Sequence, residues 1–131
     1  MPDSLHDLAR DLDRFAADRD WHQYHAPKNL ASALIVEAAE LLEHFQWMTE
    51  AESRTLSPEK LAEVRGEMAD VLLYLVQLGN VLGVDVVAAG REKLAVNAGR
   101  FPAGGARGTA RQEEEAGRAG KARWEGPEAG A

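Results

Sequence analysis

The chain has 131 residues, of which 45% are hydrophobic and 6% aromatic, enough for one domain with a modest core that association would help to complete. Its net charge of −7 excludes a groove that grips a nucleic-acid backbone, although a bound metal can reverse the local sign for a small phosphorylated ligand. The absence of cysteine excludes disulfides and thiolate metal sites, no apolar run reaches the length of a membrane span, and the start "MPDSLHDLARDLD" lacks the layout of a signal peptide, so the expected compartment is the cytoplasm.

Ser4 predicts the cap of a first helix running to about Asp20, with Leu5, Leu8, Leu12 and Phe15 on one face. "DWHQYHAPKN" reads as an aromatic and polar connector in which Pro27 forbids a continuous helix, and Asn29 is the expected cap of a second helix reaching about Thr49. "SPEK" opens a third, with Ser57 as cap, Pro58 in the first helical position and Glu59 favoured by the helix dipole. That helix extends to about Leu82, where Gly83 suits its end, and Asp85 opens a fourth that stops before Pro102. No strand pattern competes, and the expectation is an all-α, four-helix bundle over residues 1–102. Residues 103–131 hold seven Gly, eight Ala and balanced charges, with Trp124 as their one large apolar side chain; they read as a largely flexible tail, with a frayed helix at "EEEAGRAGKARW" as the exception.

The acids of the second and third helices stand out. On a helical wheel of about 100° per residue, Leu34, Ala38, Leu41, Leu42 and Phe45 fill one broad face. Glu37 and Glu40 border it near His44 and Trp47, while Glu43 lies toward solvent. In the third helix, apolar almost all round, Glu63, Glu67, Asp70, Tyr74 and Gln77 fall on one stripe. Such acids ordinarily form solvated faces or ion pairs, but Arg65 points away from this stripe. Glu37-x-x-Glu40 and Glu67-x-x-Asp70 on neighbouring helices can instead converge four carboxylates on a hard divalent cation, and magnesium in particular keeps waters and adds substrate phosphates. A di-iron bundle would need a Glu-x-x-His pair on each of two helices; Leu41 stands three before His44, and the third helix has no His.

In order and spacing these acids resemble those of the MazG-like all-α nucleoside triphosphate pyrophosphohydrolases. The words "RDWHQYHAPKNL", "EAAELLEHFQW", "EMADVLLYLVQL" and "KLAVNAGRFP" are similar to those of the dCTP pyrophosphatase branch, over roughly residues 8–111. The resemblance implies hydrolysis of a nucleoside triphosphate, dCTP or a base-modified relative, to the monophosphate and pyrophosphate, in nucleotide-pool cleaning. It implies magnesium, or manganese in its place, held by Glu37, Glu40, Glu67 and Asp70. It matches Trp21, Trp47 and Tyr74 to aromatic positions around the base and Asn97 to a position by the nucleotide, and suits Lys93 and Arg100 to phosphate oxygens. His25 is a candidate for a base or phosphate contact, and equally for tying down the connector. The branch also implies a homo-oligomer, a tetramer of two tight dimers, in keeping with the apolar excess of the second and third helices.

Three positions depart from the family pattern. Leu12 stands where some members have a His near the base, Phe101 replaces a frequent Tyr, and Val36 stands where dUTP-directed relatives often carry an extra acid. The first two bear on base selectivity, which depends on paired polar groups. The third leaves the general base open among Glu63, Glu43 and a metal-bound water. A dUTP-preferring or broad-specificity hydrolase, and a catalytically silent nucleotide-binding scaffold, are the alternatives.

Overall fold

In the computed structural model, which describes residues 4–104, five α-helices and one 3₁₀ turn follow one another: α1 (Leu5–Asp18), the turn Trp21–Tyr24, α2 (Pro27–Glu43), α3 (Glu50–Ser53), α4 (Pro58–Leu82) and α5 (Val86–Arg100). The all-α expectation holds, and no strand occurs among the described residues. The chain divides into two units, Met1–Ala89 and Gly90–Ala131. The expected tail, including Trp124, lies outside the described residues apart from Ala103 and Gly104.

Local chemistry accounts for most helix ends. The Ser4 Oγ accepts from the Asp7 backbone N–H at 3.1 Å and donates to the Asp7 carboxylate at 2.6 Å, a reciprocal box that closes the start of α1. Ser57 and Pro58 open α4 as expected, with the Lys60 N–H donating to Ser57 Oγ at 3.1 Å. Gly83 ends α4 in the left-handed region at φ 67°, where a side chain is strained. Asp85 opens α5 by accepting from the Val87 and Ala88 N–H groups, each at 3.0 Å.

Two expectations are corrected. Asn29 is not the cap of α2: Pro27 is the first residue of that helix and Ala26 its cap, and Asn29 lies inside the first turn, its amide donating to the Tyr24 carbonyl at 3.2 Å. Proline fits there because its missing N–H would have no helical partner at that position. The second helix also stops at Glu43, well before Thr49. Thr49 instead caps the short α3, its hydroxyl accepting from the Glu52 N–H at 3.2 Å and donating to the Glu52 carboxylate at 3.0 Å. A fifth, single-turn helix therefore joins the four long ones among the described residues.

Within the first unit, α4 is the spine against which α2 and α1 pack. Ala16 of α1, Leu30 of α2, and Val64 and Val76 of α4 form its buried apolar centre. The Asn80 amide donates to the Ala9 carbonyl at 2.9 Å and ties α4 to α1. A Cβ on Gly79 would meet Val86 Cγ1 at 2.8 Å and the Val84 carbonyl at 3.0 Å, so only glycine lets the chain return this closely after α4. The face of α2 is narrower than the wheel implies: Leu34, Ala38, Leu41 and Phe45 are half-buried, but Leu42 is exposed. In α4, Met68, Leu72, Leu75 and Leu82 also remain exposed, so this helix is not buried all round within the single chain.

Candidate active site

The packing of α2 on α4 brings three of the four expected metal ligands together. Carboxylate oxygens of Glu37, Glu67 and Asp70 lie within 4.8 Å of one another. The i,i+3 step places Glu67 and Asp70 on one face of α4, and Glu37 meets them from α2. Glu40 is the neighbour of Glu37 on the α2 side of the cluster. Glu43 is exposed at the end of α2, as expected.

The electrostatics are those of acids without counter-charge. The Oε2 atoms of Glu37 and Glu67 are shut off from solvent and have no hydrogen-bond partner. Burial first, then the adjacent Glu40 carboxylate, then the charges of Asp70 and Glu67 push Glu37 up to about 7. Among the described residues no lysine or arginine pairs with any of the four acids; the one ion-pair contact to them is His44 Nε2, 3.9 Å from Glu67. Glu37 and Glu67 are half-buried and Asp70 is exposed, and carboxylates crowded in this way are stabilised by a cation. The donor set is all oxygen, the choice of a hard divalent ion such as magnesium. The residues therefore fit the metal.

Glu63 stands one turn before Glu67 but outside the triad. It is exposed and paired with Lys60 at 3.1 Å, with His44 Nδ1 3.5 Å away. His44 thus lies between the Lys60–Glu63 pair and Glu67, at the edge of the acidic cluster.

A cavity of about 190 Å³ opens next to the cluster. Asp70 belongs to its wall as well as to the triad, and Tyr74 and Gln77 continue the wall along α4. Leu12, Phe15 and Ala16 of α1 form the opposite side, and Trp21 and His25 close it from the connector. The connector is folded by its aromatics: Trp21 meets Phe15 edge-on with ring centroids 5.5 Å apart, and the Arg19 guanidinium lies 3.6 Å over the Phe15 ring. Asp20 makes this reversal in the left-handed region at φ 54°, which aspartate tolerates better than most residues.

The model of the MazG-like family matches residues 33–115. The chain belongs to the MazG-like family. It is 42% identical over 114 residues to dCTP pyrophosphatase 1 of Homo sapiens, covering 86% of this chain and 67% of that protein. To the protein of the same name from Rattus norvegicus it is 41% identical over 109 residues, covering 82% and 64%. The chain thus spans about two thirds of the length of these relatives. A crystal structure of a pyrophosphatase from Archaeoglobus fulgidus superposes with a TM-score of 0.70 at 36% identity, covering 78% of this chain and 95% of that one.

Of the residues expected around a substrate, Trp21, His25 and Tyr74 line the cavity. Trp47 does not; it follows α2, in the connection to α3, and is 89% exposed. Lys93, Asn97 and Arg100 belong to the second unit, on one side of α5 by their four- and three-residue steps. There Asn97 is half-buried, Lys93 and Arg100 are exposed, and the Arg100 guanidinium lies 5.4 Å from the Phe101 ring centroid. Phe15 and Gln77 were not among the expected site residues. Phe15 reads in the sequence as core; Gln77 already lies on the stripe of Asp70 and Tyr74, which was the available signal.

Proposed function

We propose that this MazG-like chain is a magnesium-dependent pyrophosphohydrolase that cleaves a deoxynucleoside triphosphate of the dCTP class to the monophosphate and pyrophosphate. One observation carries the reading: Asp70 is at once a member of the carboxylate triad and part of the wall of an aromatic cavity. Phosphates drawn to the acidic cluster through a metal, and a base seated among Phe15, Trp21 and Tyr74, are the two ends of one nucleotide. The dCTP pyrophosphatases among its relatives supply the substrate class.

Glu37, Glu40, Glu67 and Asp70 would hold the ion. Bound there, magnesium supplies charge neutralisation of the phosphates and a water acidic enough to attack phosphorus. The chain's own part is positioning and exclusion of water. Asp70 fixes the cluster relative to the cavity, the aromatic walls orient the base, and His44 holds Glu67 against rotation. Glu63, paired with Lys60 at the edge of the cluster, is proposed as the group that takes the proton. Trp47, Lys93, Asn97 and Arg100 are proposed to contact substrate in the assembled enzyme.

A homo-oligomer, with a tetramer as its form, is supported by the apolar side chains that α2 and α4 leave exposed: Ile35, Val36, Leu42, Met68, Leu72 and Leu75. No single described helix is long and apolar enough to cross a membrane, and a cytoplasmic location is proposed. Pyrophosphate release from a panel of common and base-modified nucleoside triphosphates, with and without magnesium, tests the reading. Metal-dependent turnover of dCTP is expected. Glu40→Gln is expected to abolish it while leaving fold and assembly intact, and a near-normal rate would remove Glu40 from the metal site. Binding of triphosphates with no pyrophosphate from any of them would replace this reading with that of a silent scaffold.

A further inference from the structure

Gln77 is 3% exposed, lines the cavity, and neither its carboxamide oxygen nor its nitrogen has a hydrogen-bond partner among the described residues. A buried amide in that state is costly unless something outside the chain completes it. A second orphan faces the same space: His25 Nδ1 is buried without a partner. Apart from the Asp70 carboxylate at the cluster and the Tyr74 hydroxyl, the rest of the wall is apolar or aromatic.

We propose that Gln77 is the group that reads the edge of the nucleobase, and that it accepts cytosine and uracil or thymine rings alike. The proposal rests on the nucleotide reading of this site and names what decides the base. Position supports it: Asp70, Tyr74 and Gln77 follow at four- and three-residue steps, so Gln77 lies on the same face as the acidic cluster and about 10 Å further along the helix. That interval leaves room for the sugar between phosphate and base. Size supports a single ring: a cavity of roughly 150 Å³ suffices for benzene, and this one measures about 190 Å³. Chemistry supports the edge: a carboxamide offers an acceptor and a donor side by side, the complement of adjacent donor and acceptor groups on a base read between aromatic walls.

The lack of partners also decides selectivity. Cytosine presents its N4 amino donor beside the N3 acceptor; uracil and thymine present the O4 acceptor beside the N3–H donor. One carboxamide satisfies either after a half-turn about its last bond. Where a neighbouring group holds the amide, only one orientation is available; at Gln77 no described residue does so. Leu12 and Phe15 across the cavity add no polar group to break the tie.

The test uses the full chain, with dCMP, dUMP and pyrophosphate as probes in calorimetry, and Gln77→Met as the variant. Wild type is expected to bind dCMP and dUMP within about tenfold of each other. The variant is expected to lose roughly ten- to a hundredfold in affinity for both, as the loss of two hydrogen bonds implies. Its affinity for pyrophosphate should be unchanged, and its melting temperature should not fall, because the lost amide has no partner among the described residues. In the wild type, the Gln77 side-chain amide signals should shift in NMR spectra on addition of dCMP. Unchanged dCMP affinity in the variant, a parallel loss of pyrophosphate affinity, or Gln77 signals indifferent to dCMP would each overturn the base-reading role. A wild-type preference of more than a hundredfold for one of the two monophosphates would overturn the shared acceptance. Because binding is measured apart from turnover, absent hydrolysis with Gln77-dependent dCMP binding retires the hydrolase reading alone, and normal hydrolysis with Gln77-independent binding retires this one alone.

Discussion

The two ends of the functional stripe on α4 solve different problems with buried polar groups. At the Glu67–Asp70 end, carboxylates crowd one another and Glu37, two of their oxygens have no partner, and no lysine or arginine among the described residues answers them. At the Tyr74–Gln77 end a single neutral amide lies among aromatic and aliphatic walls. Unsatisfied charge selects for a cation, because nothing weaker offsets like-charge repulsion away from water. An unsatisfied neutral amide selects for a paired donor and acceptor, because a cation has nothing to offer its N–H. One helix face thus carries two demands, and the difference in their charge tells which part of a nucleotide each can hold.

The contrast predicts unequal costs of mutation. Asp70→Asn keeps the shape of the cavity wall and removes one charge from the cluster. It should lower magnesium-dependent turnover by at least roughly a hundredfold, an effect larger than that of Gln77→Met and not rescued by a better-fitting base. Steady-state pyrophosphate release with dCTP at saturating magnesium measures it. If Asp70→Asn and Gln77→Met cost the same and both respond to the identity of the base, the two ends are not separate in function.

A smaller effect is expected just outside the cluster. His44 lies 3.9 Å from Glu67 and 3.5 Å from Glu63, so its removal frees a ligand to turn without deleting it. His44→Ala should raise the magnesium concentration for half-maximal activity about tenfold, in the range for groups that orient metal ligands. The rate at saturating magnesium should be nearly kept. A lower maximal rate with an unchanged metal requirement would instead place His44 at the reacting groups.

How much of this was legible beforehand differs along the same helix. The acids announced themselves because charge at i,i+3 in an apolar run is a pattern, and the local signals Ser57, Pro58 and Gly83 put the helix that carries them where it is. Gln77 sits on the same stripe, but a neutral amide has no charge pattern; only burial and the lack of partners single it out, and both are tertiary facts. The connector shows the opposite failure. Pro27 does interrupt the helix, but it also opens α2 directly after Ala26, where no side chain makes a cap that the sequence could show, so Asn29 misleads as the cap. The single turn of α3 was passed over because four residues are too few to show periodicity, although the Thr49-x-x-Glu52 box was present. Trp47 matched an aromatic position by resemblance, but α2 ends at Glu43 and leaves it almost fully exposed in the single chain.

The mildest way to sharpen the contrast uses pH, because the Glu37 carboxyl titrates and the Gln77 amide does not. Burial and the neighbouring Glu40 carboxylate hold the Glu37 carboxyl up to about 7, against 4.5 for an ordinary glutamate. Between those values the folded, metal-free chain keeps a proton that the unfolded chain has released, so folding is favoured by low pH. The contribution is complete below about 4.5 and is lost as pH rises through about 7. In EDTA the melting temperature should therefore fall from pH 5 to pH 7.5 more steeply in wild type than in Glu37→Gln. Asp85, whose carboxyl is held low by the Ala88 N–H and by His6, contributes with the opposite sign, but only below its ordinary value of 3.8, outside this window. Magnesium should act against the slope: a cation needs the ionised carboxylate, so it should raise the melting temperature little at pH 5 and more at pH 7.5. Equal slopes in the two proteins would mean that Glu37 carries no excess proton and that the acids are not crowded in solution. A slope abolished by Gln77→Met would join the two ends into one titrating unit, contrary to the neutral amide that separates them.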